Sequence, residues 1–95
     1  MDLLLKDKVV LITGSSRGIG LATAKAFAAE GCRLVLSARS ASALIEAEAS
    51  FRAAGVEVVA QAADMTKPDQ AARLVEAGIT AFGGLDILIN NVGGG

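Results

Sequence analysis

The 95-residue chain lacks several residue types that would point to particular chemistries. It has no histidine, tyrosine or tryptophan, and its only cysteine is Cys32. Without histidine it lacks the commonest metal ligand and general base, and we predict no metal site. A single cysteine excludes an intrachain disulfide and favours a reducing, cytoplasmic location. We expect Cys32 to be a small buried apolar residue.

Charge and hydropathy disfavour two classes of partner. Nine basic and ten acidic residues give a net charge of −1, without the basic excess that attracts nucleic acid or anionic membranes. No apolar run approaches the ~20 residues of a membrane span, and the three leucines at 3–5 are too few for a signal peptide. We predict no nucleic-acid partner and no membrane partner.

Four apolar runs alternate with three helical patterns. The runs are mostly apolar on both faces, which is typical of parallel strands covered on both sides. The order β-α-β-α-β-α-β predicts an α/β fold, a Rossmann-like doubly wound parallel sheet with strand order 3-2-1-4. The predicted strands are Val9–Thr13, Arg33–Ser37, Val56–Ala60 and Leu85–Ile89.

The helical segments have apolar faces and end near glycine. We predict helices from Gly18 to Glu30, from Ser40 or Ala41 to Ala54, and from just after Thr66 to Gly83. Ser40 is a predicted N-cap, and Thr66 is a predicted N-cap forming a capping box with Asp69. The predicted buried residues are Ile19, Thr23, Ala26 and Phe27 in the first helix, Leu44, Ala47 and Phe51 in the second, and Leu74, Val75, Gly78 and Phe82 in the third.

A glycine-rich stretch, Thr13-Gly14-Ser15-Ser16-Arg17-Gly18-Ile19-Gly20, joins the first strand to the first helix. Glycine permits sharp turns and close backbone approach to a ligand, and a helix N-terminus attracts an anion such as pyrophosphate. The spacing G-x-x-x-G-x-G matches neither the G-x-G-x-x-G dinucleotide fingerprint nor the G-x-x-x-x-G-K-[ST] phosphate loop.

Two further motifs follow later strands. Asp64-Met65 comes after the third strand, and Asn90-Asn91-Val92-Gly93 after the fourth. With T-G-x-x-x-G-x-G after the first strand, this pattern resembles the short-chain dehydrogenase/reductase family over the whole chain. Val92 stands where the family's N-N-A-G motif has alanine.

The resemblance implies a nicotinamide cofactor at the carboxyl ends of the strands. Asp64 and the Met65 N–H would then contact the adenine, and Asn91 and Gly93 would border the ribose near the nicotinamide. For Thr13 and Asn90 we favour structural roles over cofactor contact. The predicted cofactor-binding residues are Gly14, Ser15, Ser16, Arg17, Gly18, Ile19, Gly20, Ala38, Arg39, Ser40, Asp64, Met65, Asn91, Val92 and Gly93.

The end of the second strand predicts NADP(H) over NAD. An NAD site usually places Asp or Glu here to bind the ribose 2′-OH, but this chain has Ala38 followed by Arg39. Arg17 and Arg39 offer guanidinium forks that suit a 2′-phosphate, and Ser40 adds a hydroxyl. The alternative is that Arg39 is a solvated loop charge.

The resemblance also implies catalytic Ser, Tyr and Lys residues in the second half of a full-length member. This chain contains no tyrosine, and we assign no catalytic residue to it. We predict that residues 1–95 are the incomplete, NADP-binding part of an oxidoreductase that acts on a small carbonyl or alcohol and forms dimers or tetramers. The alternatives are a free-standing half-Rossmann nucleotide-binding module without catalysis and a purely structural fragment.

Overall fold

The computed structural model describes residues 4–91, which form a parallel four-stranded sheet in the order β3-β2-β1-β4. This arrangement confirms the predicted Rossmann-like fold and strand order. The elements are β1 (Val9–Ile12), α1 (Gly18–Ala29), β2 (Arg33–Ala38), α2 (Ala41–Ala53), β3 (Val58–Ala62), α3 (Pro68–Phe82) and β4 (Ile87–Ile89).

Strand β1 lies inside the sheet and is buried along its length. Its register with β2 runs from Val9↔Arg33 to Ile12↔Leu36, and Ile12 also pairs with Ile89 of β4. Because all pairs are parallel, the strands end at one side of the sheet, here called the carboxyl edge. The loops after the strands therefore meet there, while the opposite side is called the amino edge.

Helices cover both faces of the sheet. On one face, alternate residues of β1 and β2 pack with Ala24 of α1 and with Leu44 and Phe51 of α2. On the other face, Val9, Leu11 and Val35 pack with Leu74 of α3. This coverage explains why the strands are apolar on both sides. Within residues 4–91, no helix is long and apolar enough to cross a membrane.

The predicted buried face is correct for α2 and partly correct for α3 and α1, where Phe27 packs against the core and Ile19 and Ala26 are exposed. Leu44, Ala47 and Phe51 are buried in α2, whereas in α3 Val75 is partly exposed. Helix α1 buries Gly20 and Ala24, and Ile19 is 76% exposed. Small residues occupy the buried face of α1 because Gly20 lies directly against the Gly14 carbonyl group.

Several predicted boundaries also differ: β3 ends at Ala62 rather than Ala60, and β4 begins at Ile87 rather than Leu85. Thr66 is not the N-cap of α3, a position that Lys67 holds, because the Thr66 hydroxyl and N–H both donate to Asp64 Oδ1. Strand β3 starts at Val58 rather than Val56, since Val56 N donates to Phe51 O at the end of α2. Ser40 is the N-cap residue of α2 as predicted, but its hydroxyl lies 3.3 Å from Ser42 Oγ and does not cap the helix.

Candidate functional site

An open cavity of about 480 Å³ lies at the carboxyl edge, bordered by the ends of all four strands. Nine predicted site residues line it: Gly14, Ser16, Arg17, Ala38, Arg39, Ser40, Asp64, Met65 and Asn91. Four others, Ser15, Gly18, Ile19 and Gly20, lie in the glycine loop or the start of α1 without lining the cavity, and Val92 and Gly93 lie outside the described residues. Thr13 and Asn90, for which we favoured structural roles, also line it, and so do three residues that were missed from the sequence: Ser37, Ala63 and Thr66.

The glycine loop turns the chain from β1 into α1. Gly14 and Gly18 have left-handed φ values of 59° and 60°, which favour glycine. A Cβ on Gly20 would overlap the Gly14 carbonyl group. The backbone therefore packs against itself at a distance that only glycine allows, and this fixes the start of α1 beside the cavity.

The start of α1 is suited to an anion. Leu21 N donates to Arg17 O at 3.3 Å, so the N–H groups of residues 18–20 precede the first intrahelical bond. The first turn carries no acidic side chain. These donors and the positive end of the helix dipole can hold a pyrophosphate.

Hydrogen bonds tie the glycine loop to the end of β4. Thr13 Oγ1 donates to Asn90 Oδ1 (3.1 Å) and accepts from Asn91 N (2.8 Å). Asn91 Nδ2 donates to Gly14 O (3.4 Å). The Thr13 hydroxyl thus ties the loop to the neighbouring strand end, as predicted, and Thr13, Asn90 and Asn91 all line the cavity.

A second set of hydrogen bonds ties the loop to the end of β2. Ser15 is fully buried, and its N–H donates to Ser37 O at 2.9 Å. Ser15 Oγ donates to the same oxygen (3.2 Å) and accepts from Ser37 N (3.0 Å). The Ser15 side chain therefore faces the protein, a contact that the sequence analysis did not anticipate.

Asp64 is held at the end of β3 by its own turn. Its Oδ1 accepts from Thr66 Oγ1 at 2.6 Å and from Thr66 N at 3.0 Å, and its N–H donates to Gln70 Oε1 at 2.7 Å. The Thr66 hydrogen bonds lower the pKa of the Asp64 carboxyl, aided by the positive charge of Arg39. Asp64 is thus an ionised acceptor at the cavity wall, suited to an amino group such as that of adenine.

The end of β2 presents positive charge and no acidic side chain. Ala38 is buried and contributes only a methyl group, whereas Arg39 and Ser40 are exposed and line the cavity. Arg17 lines the same cavity from the glycine loop. Both guanidinium groups therefore bring positive charge to this cavity, which favours an anionic group.

Comparisons with known proteins agree with this geometry. L-sorbose reductase from Gluconobacter frateurii, solved with NADPH and L-sorbose, is 47% identical over 98% of this chain and 36% of its own, with a TM-score of 0.91. A Burkholderia phymatum short chain dehydrogenase/reductase, solved with NAD, is 36% identical over 88% of this chain and 30% of its own, with a TM-score of 0.87. L-rhamnose 1-dehydrogenase (NAD(P)(+)) from Azotobacter vinelandii is 41% identical over 96% of this chain and 37% of its own length.

The chain spans about a third of the length of these relatives. The profile of the short chain dehydrogenase family matches residues 8–95. The glycine loop and the Asp64 turn lie at strand ends within that match. The chain belongs to the short-chain dehydrogenase/reductase family and corresponds to the N-terminal portion of its members.

Proposed function

We propose that the protein carrying this chain is an NADP(H)-dependent oxidoreductase that transfers hydride between its cofactor and a small carbonyl or alcohol. Residues 1–95 form the cofactor-binding segment. The observation that carries the NADP assignment is the end of β2, where Ala38 offers no acceptor and Arg39 lines the same cavity as Arg17. The cytoplasmic location and the dimer or tetramer remain predictions.

The cavity residues fit the parts of a dinucleotide. The N–H groups at the start of α1 hold the pyrophosphate, the Asp64 carboxylate and the Met65 N–H hold the adenine, and Asn91 borders the ribose next to the nicotinamide. The self-contact between Gly20 and Gly14 supports this fit, because it brings the start of α1 close to the cavity. The nicotinamide supplies or accepts the hydride when the cofactor is bound.

The 2′-phosphate is the group that separates the two cofactors. Hydrogen bonds to charged groups contribute about 1.5–3 kcal/mol each when formed between well-placed partners. The exposed positions of Arg17 and Arg39 reduce this through solvent screening. We expect a preference for NADPH over NADH of roughly tenfold to several hundredfold.

The test measures dissociation constants for NADPH and NADH by titration of nicotinamide fluorescence, which needs no known substrate. Arg39→Ala is expected to weaken NADPH binding about tenfold or more and to change NADH binding less than about twofold. Arg52→Ala is the matched control, because Arg52 lies at the far end of α2, pairs with Glu48 and does not line the cavity. An equal loss for both cofactors would contradict the NADP assignment.

Ala38→Asp gives the reciprocal test. A carboxylate at this position repels a 2′-phosphate and accepts from a 2′-hydroxyl. We expect the preference to shift towards NADH by about a hundredfold. If this variant prefers NADPH as strongly as the wild type does, the ribose 2′-position does not lie beside residue 38, and the proposed site is rejected.

A further inference from the structure

The pair Ser15 and Ser37, here called the serine pair, continues the contact between β1 and β2 beyond the sheet. The last ladder pair between the two strands is Ile12↔Leu36. Beyond it, the Ser15 hydroxyl accepts from Ser37 N and donates to Ser37 O, and Ser15 N also donates to that oxygen. Both residues are at most 1% exposed. The three hydrogen bonds of this contact are therefore shielded from solvent.

The serine pair lies next to both arginines of the cavity. Arg17 follows Ser15 by two residues and Arg39 follows Ser37 by two residues, and both line the cavity. The serine pair therefore joins the two backbone segments that carry the guanidinium groups. Long side chains lose conformational entropy when they bind, and a fixed backbone reduces this cost.

The Ser15 hydroxyl carries the part of this contact that a substitution can remove. Without it, the Ser37 N–H loses its Ser15 acceptor in a buried place, a cost in free energy that a shift of the two segments can relieve. The Ser37 hydroxyl differs, since it is buried with no hydrogen-bond partner among residues 4–91. Ser37 contributes to the pair through its backbone.

We propose that Ser15 is a positioning residue for cofactor specificity. It does not line the cavity, and its hydroxyl keeps the Arg17 and Arg39 segments at the separation at which both guanidinium groups reach one 2′-phosphate. This inference rests on the proposed NADP preference. NADH has no 2′-phosphate, so its binding depends less on that separation.

The experiment compares Ser15→Ala, Arg39→Ala and the double variant with wild type, using dissociation constants for NADPH and NADH. Ser15→Ala is expected to weaken NADPH binding about tenfold and NADH binding less than about threefold. In the Arg39→Ala background, Ser15→Ala is expected to add less than about twofold, because coupled residues are not additive. Ser50→Ala, a serine exposed on α2 and away from the cavity, is the matched control.

The outcomes separate this proposal from the cofactor assignment. A wild type without NADPH preference rejects the proposed function and this proposal with it. A preference that Arg39→Ala abolishes and Ser15→Ala leaves intact rejects the role of Ser15 alone. Equal losses for both cofactors show that Ser15 does not act on cofactor specificity, and a full tenfold loss that persists in the Arg39→Ala background shows that it does not act through Arg39. Either result also rejects the proposal.

Two further variants keep the test decisive if Ser15→Ala does not fold. Ser15→Cys keeps a side chain of similar size with a much weaker hydrogen bond. We expect it to lose NADPH affinity selectively, as Ser15→Ala does, but by a smaller factor. A Ser15→Cys protein with the wild-type NADPH to NADH ratio overturns the proposal. A lowered ratio in Ser37→Ala but not in Ser15→Cys also overturns it, since the specificity then depends on the other hydroxyl.

Discussion

The two edges of the sheet use similar polar contacts for different purposes. At the amino edge, Asp86 Oδ2 accepts from Val9 N (2.8 Å) and Asp86 N donates to Val9 O (2.9 Å), which joins β4 to β1. At the carboxyl edge, the contacts of Thr13 and Ser15 also join neighbouring strands, but they lie beside the cavity. The polar contacts of the amino edge therefore serve stability, and those of the carboxyl edge also shape the candidate binding site.

The glycines show the same difference. Gly31, Gly55 and Gly83 have left-handed φ values between 83° and 85° and follow the ends of the three helices, which is the usual position of a helix-terminating glycine. Gly14 and Gly18 have φ values near 60° and lead into a helix. The same conformational freedom thus ends helices on one side of the sheet and forms the loop beside the cavity on the other.

Cys32 belongs to the amino edge. It is 4% exposed, as predicted, and its Sγ donates to Leu5 O at 3.2 Å. Burial, with a smaller effect from the Glu30 carboxylate, raises the pKa of the Cys32 thiol. The thiol therefore stays protonated at neutral pH and remains a hydrogen-bond donor inside the protein.

Gly20→Ala is expected to have the largest effect, because it disrupts the carboxyl edge itself. The new Cβ would overlap backbone atoms of Gly14, which cannot move without shifting the loop. We expect the free energy of unfolding to fall by about 2–4 kcal/mol and NADPH affinity to fall at least about a hundredfold. Urea denaturation and fluorescence titration measure the two quantities.

Gly84→Ala is the matched control for that prediction. A Cβ on Gly84 meets nothing within 4 Å, and its φ is not in the left-handed region. We expect a change in stability below about 1 kcal/mol and unchanged cofactor affinity. If Gly20→Ala behaves like Gly84→Ala, the close packing of the glycine loop does not matter for binding.

Asp86→Ala is expected to have an intermediate effect confined to the amino edge. It leaves the N–H of the buried residue Val9 without its carboxylate acceptor, which costs about 1–3 kcal/mol in the free energy of unfolding. The ratio of NADPH to NADH affinity is expected to stay the same. Asp69→Ala is the control, because its ion pair with Arg73 is exposed and contributes less than about 1 kcal/mol. A changed cofactor ratio in Asp86→Ala would show that the two edges are coupled.

Thr66→Val is expected to have the smallest effect. It removes the hydroxyl donor that contributes most to lowering the pKa of Asp64, so this pKa should rise towards the ordinary carboxyl range, as an NMR titration would measure. Because the folded-state pKa is lowered, Asp64 stabilises the protein at neutral pH, and this contribution is lost as the pH falls through the folded-state pKa. In Thr66→Val, the stabilisation that Asp64 provides at neutral pH is expected to be smaller than in the wild type. Thr80→Val, on the exposed side of α3, should leave the Asp64 titration unchanged.

Much of the architecture followed from local patterns. The doubly apolar strands alternating with helices predicted a parallel sheet, and the doubly wound arrangement of such a sheet predicted the strand order. The glycines predicted where the helices end. The α1 face was predicted wrongly at Ile19, because hydrophobicity placed this residue inward whereas close packing at Gly20 determines which side of the first turn faces the sheet. Thr66 was predicted to be the N-cap of α3, because a capping pattern in sequence does not show that Asp64 competes for the same hydroxyl.

By itself, the sequence determined the alternation of strands and helices and the residue types at each strand end, since periodicity and backbone freedom are local properties. Only the tertiary structure decided which of those residues face the cavity. Ser15 shows the physical reason: its hydroxyl binds the backbone of Ser37, 22 residues away, and a hydroxyl's partner depends on which backbone groups folding brings within about 3 Å. The same reason explains the difference between the two edges: the polar residues of each edge stabilise the sheet or shape the cavity according to the strands that folding places beside them.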